Sequence, residues 1–229
     1  MKIGNRLLRV LAPLLLLFAS SEAGAQETSY AQWVSVPMTV DIGEDESRPQ
    51  LWLDMHARRF EDSTTTIFRP AVGWRFNKTI VTHAGYGFIS TYADANGSAH
   101  EHRIWEQVIL NLAPGARIKL QSRTRFEQRM SHDGGNVALR LREFVRVGWH
   151  VAEGSPFQIL VWDEVFVGLN EANWGPPQGY DQNRLFVGPG VNVTPLGGRL
   201  ELGYLHNHLK RNPENQVNHS LYAQVVIGL

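Results

Sequence analysis

Arginine and glutamate residues recur at alternate positions of this chain, and the longest such run covers residues 117–129. Its odd positions are all polar or charged, and they include Arg123, Arg125, Glu127 and Arg129. Arginine binds carboxylate and phosphate groups through two parallel hydrogen bonds, so a row of these side chains could bind an anion or line a path for one. The same residues could instead neutralise one another across neighbouring strands, because opposite charges stabilise a sheet.

The alternation predicts that residues 117–129 form a β-strand, because successive side chains of a strand point to opposite faces. Ile118, Leu120 and Phe126 occupy even positions, which are apolar or small except for Gln128. An ordinary strand has about five or six residues, so this run is long. A long strand with one polar and one apolar face is typical of a transmembrane β-barrel, whose strands face lipid on one side and a polar lumen on the other.

Similar alternation recurs along the chain, and we identify eleven strand-like segments and no helical pattern. The first segment contains Pro37, and proline is confined to sheet edges and bulges. Outer-membrane barrels have an even number of strands, short turns at one end and longer loops at the other. We therefore predict an all-β fold, an antiparallel up-and-down transmembrane β-barrel of about ten strands over residues 51–229, with twelve strands as the alternative. Residues 26–50 would form a periplasmic or plug-like segment, and both termini would lie in the periplasm.

The N-terminal residues have the pattern of a secretory signal peptide. A basic start that includes Lys2 and Arg6 precedes an apolar run from Leu11 to Ala19, and Ala23-Gly24-Ala25 supplies small residues for cleavage. We predict that residues 1–25 are removed on export. Combined with long alternating strands, this predicts the outer membrane of a Gram-negative bacterium, with outer-membrane lipid and the barrel-assembly machinery as partners.

The composition excludes several other classes of protein. Lys plus Arg and Asp plus Glu both number 22, so the formal net charge is zero and a basic surface for nucleic acid is not indicated. The chain has no cysteine, which excludes disulfides and thiolate chemistry. No stretch of about 20 apolar residues follows the N-terminus, which argues against a helical membrane protein.

The predicted lumen face carries a cluster of charged side chains, which is our candidate binding site. Its members are Arg58, Arg75, Glu101, Arg103, Arg123, Arg125, Glu127, Arg129, Arg140, Arg142, Glu164, Arg184 and Glu201. The first interpretation is structural: the charges pair and fill a narrow barrel, with at most a narrow pore. The second is a binding or permeation site for a small anionic solute.

Catalytic and metal sites are not indicated by the spacing of candidate residues. His206 and His208 share one face of a strand, but no third ligand follows at a suitable spacing. His219 and Ser220 are adjacent, so they face opposite sides and cannot form a nucleophile–base pair. We predict no catalytic residue, metal or cofactor. An enzyme acting on envelope lipid and a soluble periplasmic β-barrel binding protein remain as alternatives.

Aromatic residues and one local irregularity complete the prediction. The tryptophans are typical of the girdles at membrane interfaces, although alternation puts Trp105 on the lumen side. Glu143 and Phe144 break the alternation of their strand, which indicates a β-bulge or a pair that crosses the lumen.

Six fragments occur in a fixed order along the chain after the predicted signal peptide. They are Glu101–Gln107, Arg123–Arg129, Arg140–Arg142, Asp163–Phe166, Gln182–Arg184 and Glu201–Tyr204. In that order they resemble the domain-of-unknown-function 2490 (DUF2490) family of bacterial exported proteins. The resemblance implies an outer-membrane β-barrel and carries no catalytic residue. The final Leu229 departs from the terminal aromatic residue that is common in outer-membrane barrels.

Overall fold

The computed structural model describes residues 26–94, 97–113, 115–175, 178–211 and 214–229, which form a closed barrel of eleven strands. The strands are β1 (Gln26–Asp41), β2 (Arg48–Arg59), β3 (Ser63–Arg75), β4 (Ile80–Ala93), β5 (Gly97–Leu112), β6 (Ile118–Ser131), β7 (Ala138–His150), β8 (Phe157–Gly168), β9 (Gly179–Val193), β10 (Gly198–Leu209) and β11 (Asn215–Gly228). A single 3₁₀ turn, Thr194–Leu196, precedes β10. No helix in these described ranges is long and apolar enough to cross a membrane. The predicted signal peptide lies outside them.

The barrel is antiparallel between consecutive strands and closes through one parallel pair. Each strand from β2 to β11 pairs with its predecessor in antiparallel register, and β1 pairs with β11 in parallel. The closure continues to the end of the chain, where the Leu229 amide donates to the Thr39 carbonyl at 2.9 Å. The all-β up-and-down barrel is therefore confirmed.

The number of strands is eleven, so the predictions of ten and of twelve are both wrong. The additional strand is β1, which lies within the segment that we expected to remain outside the barrel. Pro37 is accommodated because the parallel ladder skips Val36 and Pro37 between Ser35 and Met38. No hydrogen bond of that ladder is therefore lost to the missing proline N–H. An odd number of strands also puts Gln26 and Leu229 at opposite ends of the barrel.

We call the end of the barrel that carries residues 169–178, the longest connection, the upper rim, and the end that carries Leu229 the lower rim. The predicted contrast between short turns and long loops is weak. The connection at 60–62 lies at the upper rim and is shorter than the one at 42–47 at the lower rim. The strands extend into polar segments at their ends, because Thr and Ser residues such as Thr64 and Thr65 join the ladder between β2 and β3.

Large side chains fill part of the narrow lumen. Trp105 and Phe186 are both 0% exposed. A Cβ added to Gly85 would lie 2.6 Å from the Trp105 ring, and one added to Gly203 would lie 2.7 Å from the Phe186 ring. Glycine is therefore required where these two large rings cross the lumen.

The exterior face of the wall is predominantly apolar. Exposed aliphatic and aromatic side chains occur around the barrel, among them Leu51, Phe68, Val72, Ile104, Val108, Leu141, Val161, Leu185, Val187, Leu202 and Leu221. Trp74 and Trp149 are exposed near the lower rim, as the prediction of aromatic girdles requires. That prediction is wrong for Trp33 and Trp162, which are buried in the lumen, where their rings pack against other aromatic and guanidinium groups.

The predicted irregularity at Glu143 and Phe144 is also different in the structure. The register of β7 is regular there, with Glu143 on the exterior and Phe144 in the lumen. A charged side chain therefore faces outward and an aromatic one faces the lumen, while the backbone keeps its regular strand pairing. The register shift lies instead between β8 and β9, where Phe166 pairs with Gln182 and Val167 with Tyr180, so that Asp181 is the extra residue.

Candidate functional site: an arginine-rich lumen

The structure places all thirteen residues of the predicted charge cluster on the lumen face. Alternation alone positions them, because each strand of a barrel exposes every second side chain to the interior. On β6 the lumen side chains include Arg123, Arg125, Glu127 and Arg129, while Ile118 is exposed on the exterior. The lumen contains buried, charge-paired arginines, and its organisation follows from which strands face each other.

The centre of the lumen is built around Glu127, which is 0% exposed. Its Oε2 accepts hydrogen bonds from Arg140 at 2.5 and 3.0 Å, and its Oε1 accepts one from Arg142 at 2.6 Å. The guanidinium groups of Arg103 and Arg125 each lie 3.8 Å away. One carboxylate therefore neutralises part of the charge of four arginines.

Arg142 links this centre to a second carboxylate. Its Nε and Nη2 donate to Glu164 Oε1 at 3.0 and 2.6 Å, so that one guanidinium bridges Glu127 and Glu164. Arg123 donates to the same oxygen of Glu164 at 2.6 Å. We call the level of the barrel that contains Glu127, Arg142, Glu164 and the buried Trp105 ring the waist. Removal of either carboxylate at this level would leave buried arginines with fewer partners.

In the upper part of the lumen, two arginines bind one carboxylate. Glu101 accepts two hydrogen bonds from Arg103, at 2.7 and 2.9 Å, and two from Arg129, at 2.6 and 3.1 Å. Asp181, the bulge residue, lies 3.2 Å from Arg140. The bulge thus adds a carboxylate to the lumen that regular pairing would have directed outward.

Arginines outnumber carboxylates in the described part of the lumen. The arginines between the rims are Arg58, Arg69, Arg75, Arg103, Arg123, Arg125, Arg129, Arg140, Arg142, Arg146, Arg184 and Arg199. The carboxylates are Asp41, Asp54, Glu101, Glu127, Glu164, Asp181 and Glu201. The pairing interpretation is therefore incomplete: it accounts for the carboxylates but leaves an excess of cations.

Aromatic rings and amide oxygens stabilise the excess arginines. The Arg58 guanidinium lies 4.1 Å from the centre of the Trp33 ring. Arg125 lies 4.2 Å from the Trp105 ring and donates two hydrogen bonds, at 2.9 and 2.6 Å, to the side-chain oxygen of Gln107. Cation–π contacts of desolvated groups contribute about 2 kcal/mol or more, so these rings substitute for missing carboxylates.

Several functional side chains were missed by the sequence reasoning. Arg69 binds Asp54, and Arg146 and Arg199 both bind Glu201. Alternation places Arg69 on the same face of β3 as Arg75, and Arg146 on the same face of β7 as Arg142. Both could therefore have been predicted to face the lumen. For Asp181 no signal was available, because a β-bulge reverses the face of the residues before it.

Two chambers of the lumen lie on either side of the waist. The upper chamber has a volume of about 920 Å³ and is lined by Arg103, Arg129, Arg140, Trp174 and Arg211, with Glu101 and Asp181. The lower chamber has a volume of about 320 Å³, and Arg69, Arg75 and Arg123 line part of its wall. Arg184 lines both chambers, since it lies at the waist, 3.7 Å from Glu164.

A serine, a histidine and an aspartate meet in the lumen without forming a catalytic triad. Asp54 lies 2.7 Å from His56 Nε2, and Ser35 Oγ lies 3.4 Å from the same nitrogen. A relay requires the acid and the nucleophile on different ring nitrogens, and here His56 Nδ1 has no partner. Ser35 is also fully buried. In the described ranges, no three His, Asp or Glu side chains are arranged to hold a metal ion.

Comparisons with known proteins identify a family and a relative of this chain. The model of the family described as "Protein of unknown function (DUF2490)" matches residues 31–218 of this chain. An uncharacterised protein of Methylorubrum extorquens strain AM1 is 29% identical over 205 residues, which is 86% of this chain and 86% of that protein. The matched region extends from β1 into β11, so both strands of the parallel closure are included.

Proposed function

Since the chain belongs to the DUF2490 family, we propose that it is an outer-membrane barrel with a closed waist, which binds small anionic solutes in its lumen rather than conducting them. The observation that carries this proposal is the excess of lumen arginines over carboxylates on both sides of the ion-paired waist. A purely structural lumen needs only balanced charges. An open channel needs a continuous passage.

The exterior wall supports a membrane environment. Exposed apolar patches of a few hundred Å² are already large for a soluble monomer, and here exposed apolar side chains occur on every side of the barrel. Trp74, Trp149 and Phe157 are exposed near the lower rim, and Tyr30 and Tyr92 near the upper rim. Aromatic girdles on both sides of an apolar band are typical of transmembrane barrels.

Three carboxylates interrupt the apolar band, and two of them are satisfied within the wall. Glu143 accepts hydrogen bonds from the hydroxyls of Ser122 and Thr124, at 3.0 and 2.6 Å. Asp163 accepts from the amide of Asn183 at 2.9 and 3.0 Å. The third, Glu106, is exposed. Hydrogen-bond donors on the wall lower the cost of placing a carboxylate near lipid, which makes these positions compatible with the proposed location.

The upper chamber is the part of the lumen best suited to bind an anion. Its lining contains arginines from β5, β6, β7 and β9, together with Lys210 and Arg211 at the rim. Arg129 Nη1 is buried and has no hydrogen-bond partner. A dianion such as phosphate would satisfy this donor and offset the excess positive charge.

The location is tested by fractionation and by gel migration of the full-length protein expressed in a Gram-negative host. We expect recovery in the outer-membrane fraction and heat-modifiable migration in SDS gels, because a folded barrel resists SDS until it is boiled. Recovery in the soluble periplasmic fraction would overturn the outer-membrane proposal in favour of a soluble binding barrel.

The binding function is tested on the detergent-purified protein by titration calorimetry with inorganic phosphate and by conductance in planar bilayers. We expect saturable phosphate binding and no steady conductance. Stable single-channel currents would show that the waist opens, and would replace binding by permeation. The absence of phosphate and acetate binding would leave only a structural role.

A further inference from the structure

The lower chamber has two chemically different walls. The rings of Trp33, Phe144, Trp162 and Tyr222, from β1, β7, β8 and β11, line one side. The Trp162 ring lies between Phe144 and Tyr222, with ring centres 5.6 and 5.8 Å apart. The opposite side, formed by β2 to β6, carries most of the charged and amide side chains together with Trp52, while Arg142, Arg146 and Arg199 lie on the same side as the rings. A molecule in this chamber would therefore contact an aromatic surface and a cationic surface together.

Buried donors on the cationic wall have no partners in the described structure. Arg69 is 4% exposed and its Nε is unpaired; His83 is 5% exposed and its Nε2 is unpaired. Arg123 Nε is unpaired as well. All three side chains line the lower chamber. Buried polar groups are nearly always hydrogen-bonded, so these donors are candidates to bind an acceptor group of a ligand in the chamber.

A cationic cleft lies beside the chamber at the lower rim. Lys78, Lys119, Arg146 and Arg199 line this cleft, and the described residues that line it include no carboxylate. Asn111, Gln121, Arg146 and Arg199 line both the cleft and the lower chamber, so the two spaces are adjacent. Lining by one sign of charge attracts ligands of the opposite sign.

We infer that the lower chamber binds a small aromatic carboxylate, with its ring against Trp33, Phe144 and Trp162 and its carboxylate towards Arg69 and Arg123. The inference rests on the proposed anion-binding function and adds a second, more selective site to it. The volume of about 320 Å³ accommodates one or two fused rings. The aromatic wall provides the stacking contacts that distinguish such a ligand from phosphate or acetate.

The experiment is titration calorimetry of the detergent-purified, full-length protein with 1-naphthoate. Neutral 1-naphthamide and acetate are the comparison probes, since each retains only one half of the proposed recognition. We expect 1:1 binding of 1-naphthoate and at least tenfold weaker binding of both comparison probes. Equal binding of 1-naphthamide would overturn the inference, because it would show partition into apolar surface or detergent.

Three variants locate the site. Arg123→Gln should weaken 1-naphthoate binding at least tenfold, whereas Arg117→Gln, an exposed arginine near the start of the same strand, should leave it unchanged. Thr39→Trp keeps every charge but fills part of the lower chamber, and it should also abolish binding. Heat-modifiable migration reports folding of each variant.

Failure of this inference is distinguishable from failure of the proposed function. If phosphate binds and 1-naphthoate does not, the upper chamber alone is the binding site. If Arg129→Gln abolishes 1-naphthoate binding while Arg123→Gln has no effect, the aromatic anion binds above the waist and the lower site is wrong. If neither probe binds, both proposals are wrong.

Discussion

The two chambers use the same residue type in different surroundings. In the upper chamber, Arg103 and Arg129 both donate hydrogen bonds to Glu101 near the upper rim. Trp174, from the 169–178 connection, lies beside the Arg129 guanidinium. In the lower chamber, Arg123 lies against the Phe144 ring, 4.6 Å from its centre. Arginines of both chambers have carboxylate partners, since Arg123 also binds Glu164. The chambers differ instead in their rings, because Trp33, Phe144, Trp162 and Tyr222 line the lower chamber whereas Trp174 is the aromatic ring that lines the described upper one.

The waist lies between these two environments. Glu127 is its central carboxylate, since it binds Arg140 from the upper chamber and Arg142 on the side of the lower one. Large effects on stability are therefore expected at the waist, and the smallest are expected at the open end of the upper chamber.

The first prediction concerns Glu127→Ala. Removing the carboxylate leaves Arg140 and Arg142 buried with one carboxylate partner fewer, and breaking a buried ion pair on one side costs about 3–5 kcal/mol. We expect the free energy of unfolding in detergent to fall by about that amount, measured by urea titration of tryptophan fluorescence.

Glu106→Ala is the matched control for that change. Its side chain is exposed on the exterior of β5, so we expect a change within about 0.5 kcal/mol. A free energy of unfolding that responds equally to both substitutions would mean that the waist network does not stabilise the barrel more than an exterior carboxylate does.

The second prediction concerns the packing below the waist. A Cβ at position 203 would lie 2.3 Å from the Val187 carbonyl oxygen as well as against the Phe186 ring. Overpacking of this kind costs about 1–3 kcal/mol, so Gly203→Ala should lower the urea midpoint. Gly115→Ala is the control, because nothing lies within 4 Å of its Cβ position. Similar midpoints for the two variants would show that the Phe186 ring can move aside.

Much of this arrangement could be predicted from alternation, and the remainder depends on register. The lumen face of β6 follows directly from the sequence of residues 117–129. The predicted strand count was wrong because Pro37 suggested that its segment lies outside the barrel. Pro37 instead lies within β1, at the point where the parallel ladder is interrupted. The girdle prediction was wrong for Trp33 and Trp162 because an amphipathic ring suits a membrane interface and an arginine-lined lumen equally well.

The charge balance of the lumen could not be predicted from composition. The net charge of the whole chain is zero, yet the lumen has a cation excess because Glu106, Glu143 and Asp163 lie on the exterior wall and most of the other carboxylates outside the lumen, such as Glu44 and Asp133, lie in the connections between strands. Which carboxylate meets which arginine depends on the pairing of strands that are distant in sequence. Periodicity assigns a side chain to a face, but it does not identify the partner across the lumen.

The third prediction separates the chambers by ligand. Arg129→Gln should weaken phosphate binding about tenfold, since a hydrogen bond to a charged group contributes about 1.5–3 kcal/mol. Arg123→Gln should leave phosphate binding unchanged, because Arg123 lies below the waist and lines only the lower chamber. Titration calorimetry with phosphate measures both. Equal losses would mean that the two chambers behave as one site and that the waist does not separate them.

The smallest expected effect on stability is that of Trp174→Ala. The ring lies 5.6 Å from the Arg129 guanidinium at the open end of the upper chamber, and its Nε1 donates to the Asn136 carbonyl at 2.7 Å. An exposed cation–π contact contributes about 0.5–1 kcal/mol. Trp162→Ala, by contrast, removes a buried ring stacked on Phe186 at 5.3 Å and should cost about 3–5 kcal/mol. Urea titration of both variants measures this contrast directly, with heat-modifiable migration as a check of folding. If Trp174→Ala cost as much as Trp162→Ala, the upper chamber would be a packed core like the lower wall, and its role as an accessible anion site would have to be abandoned.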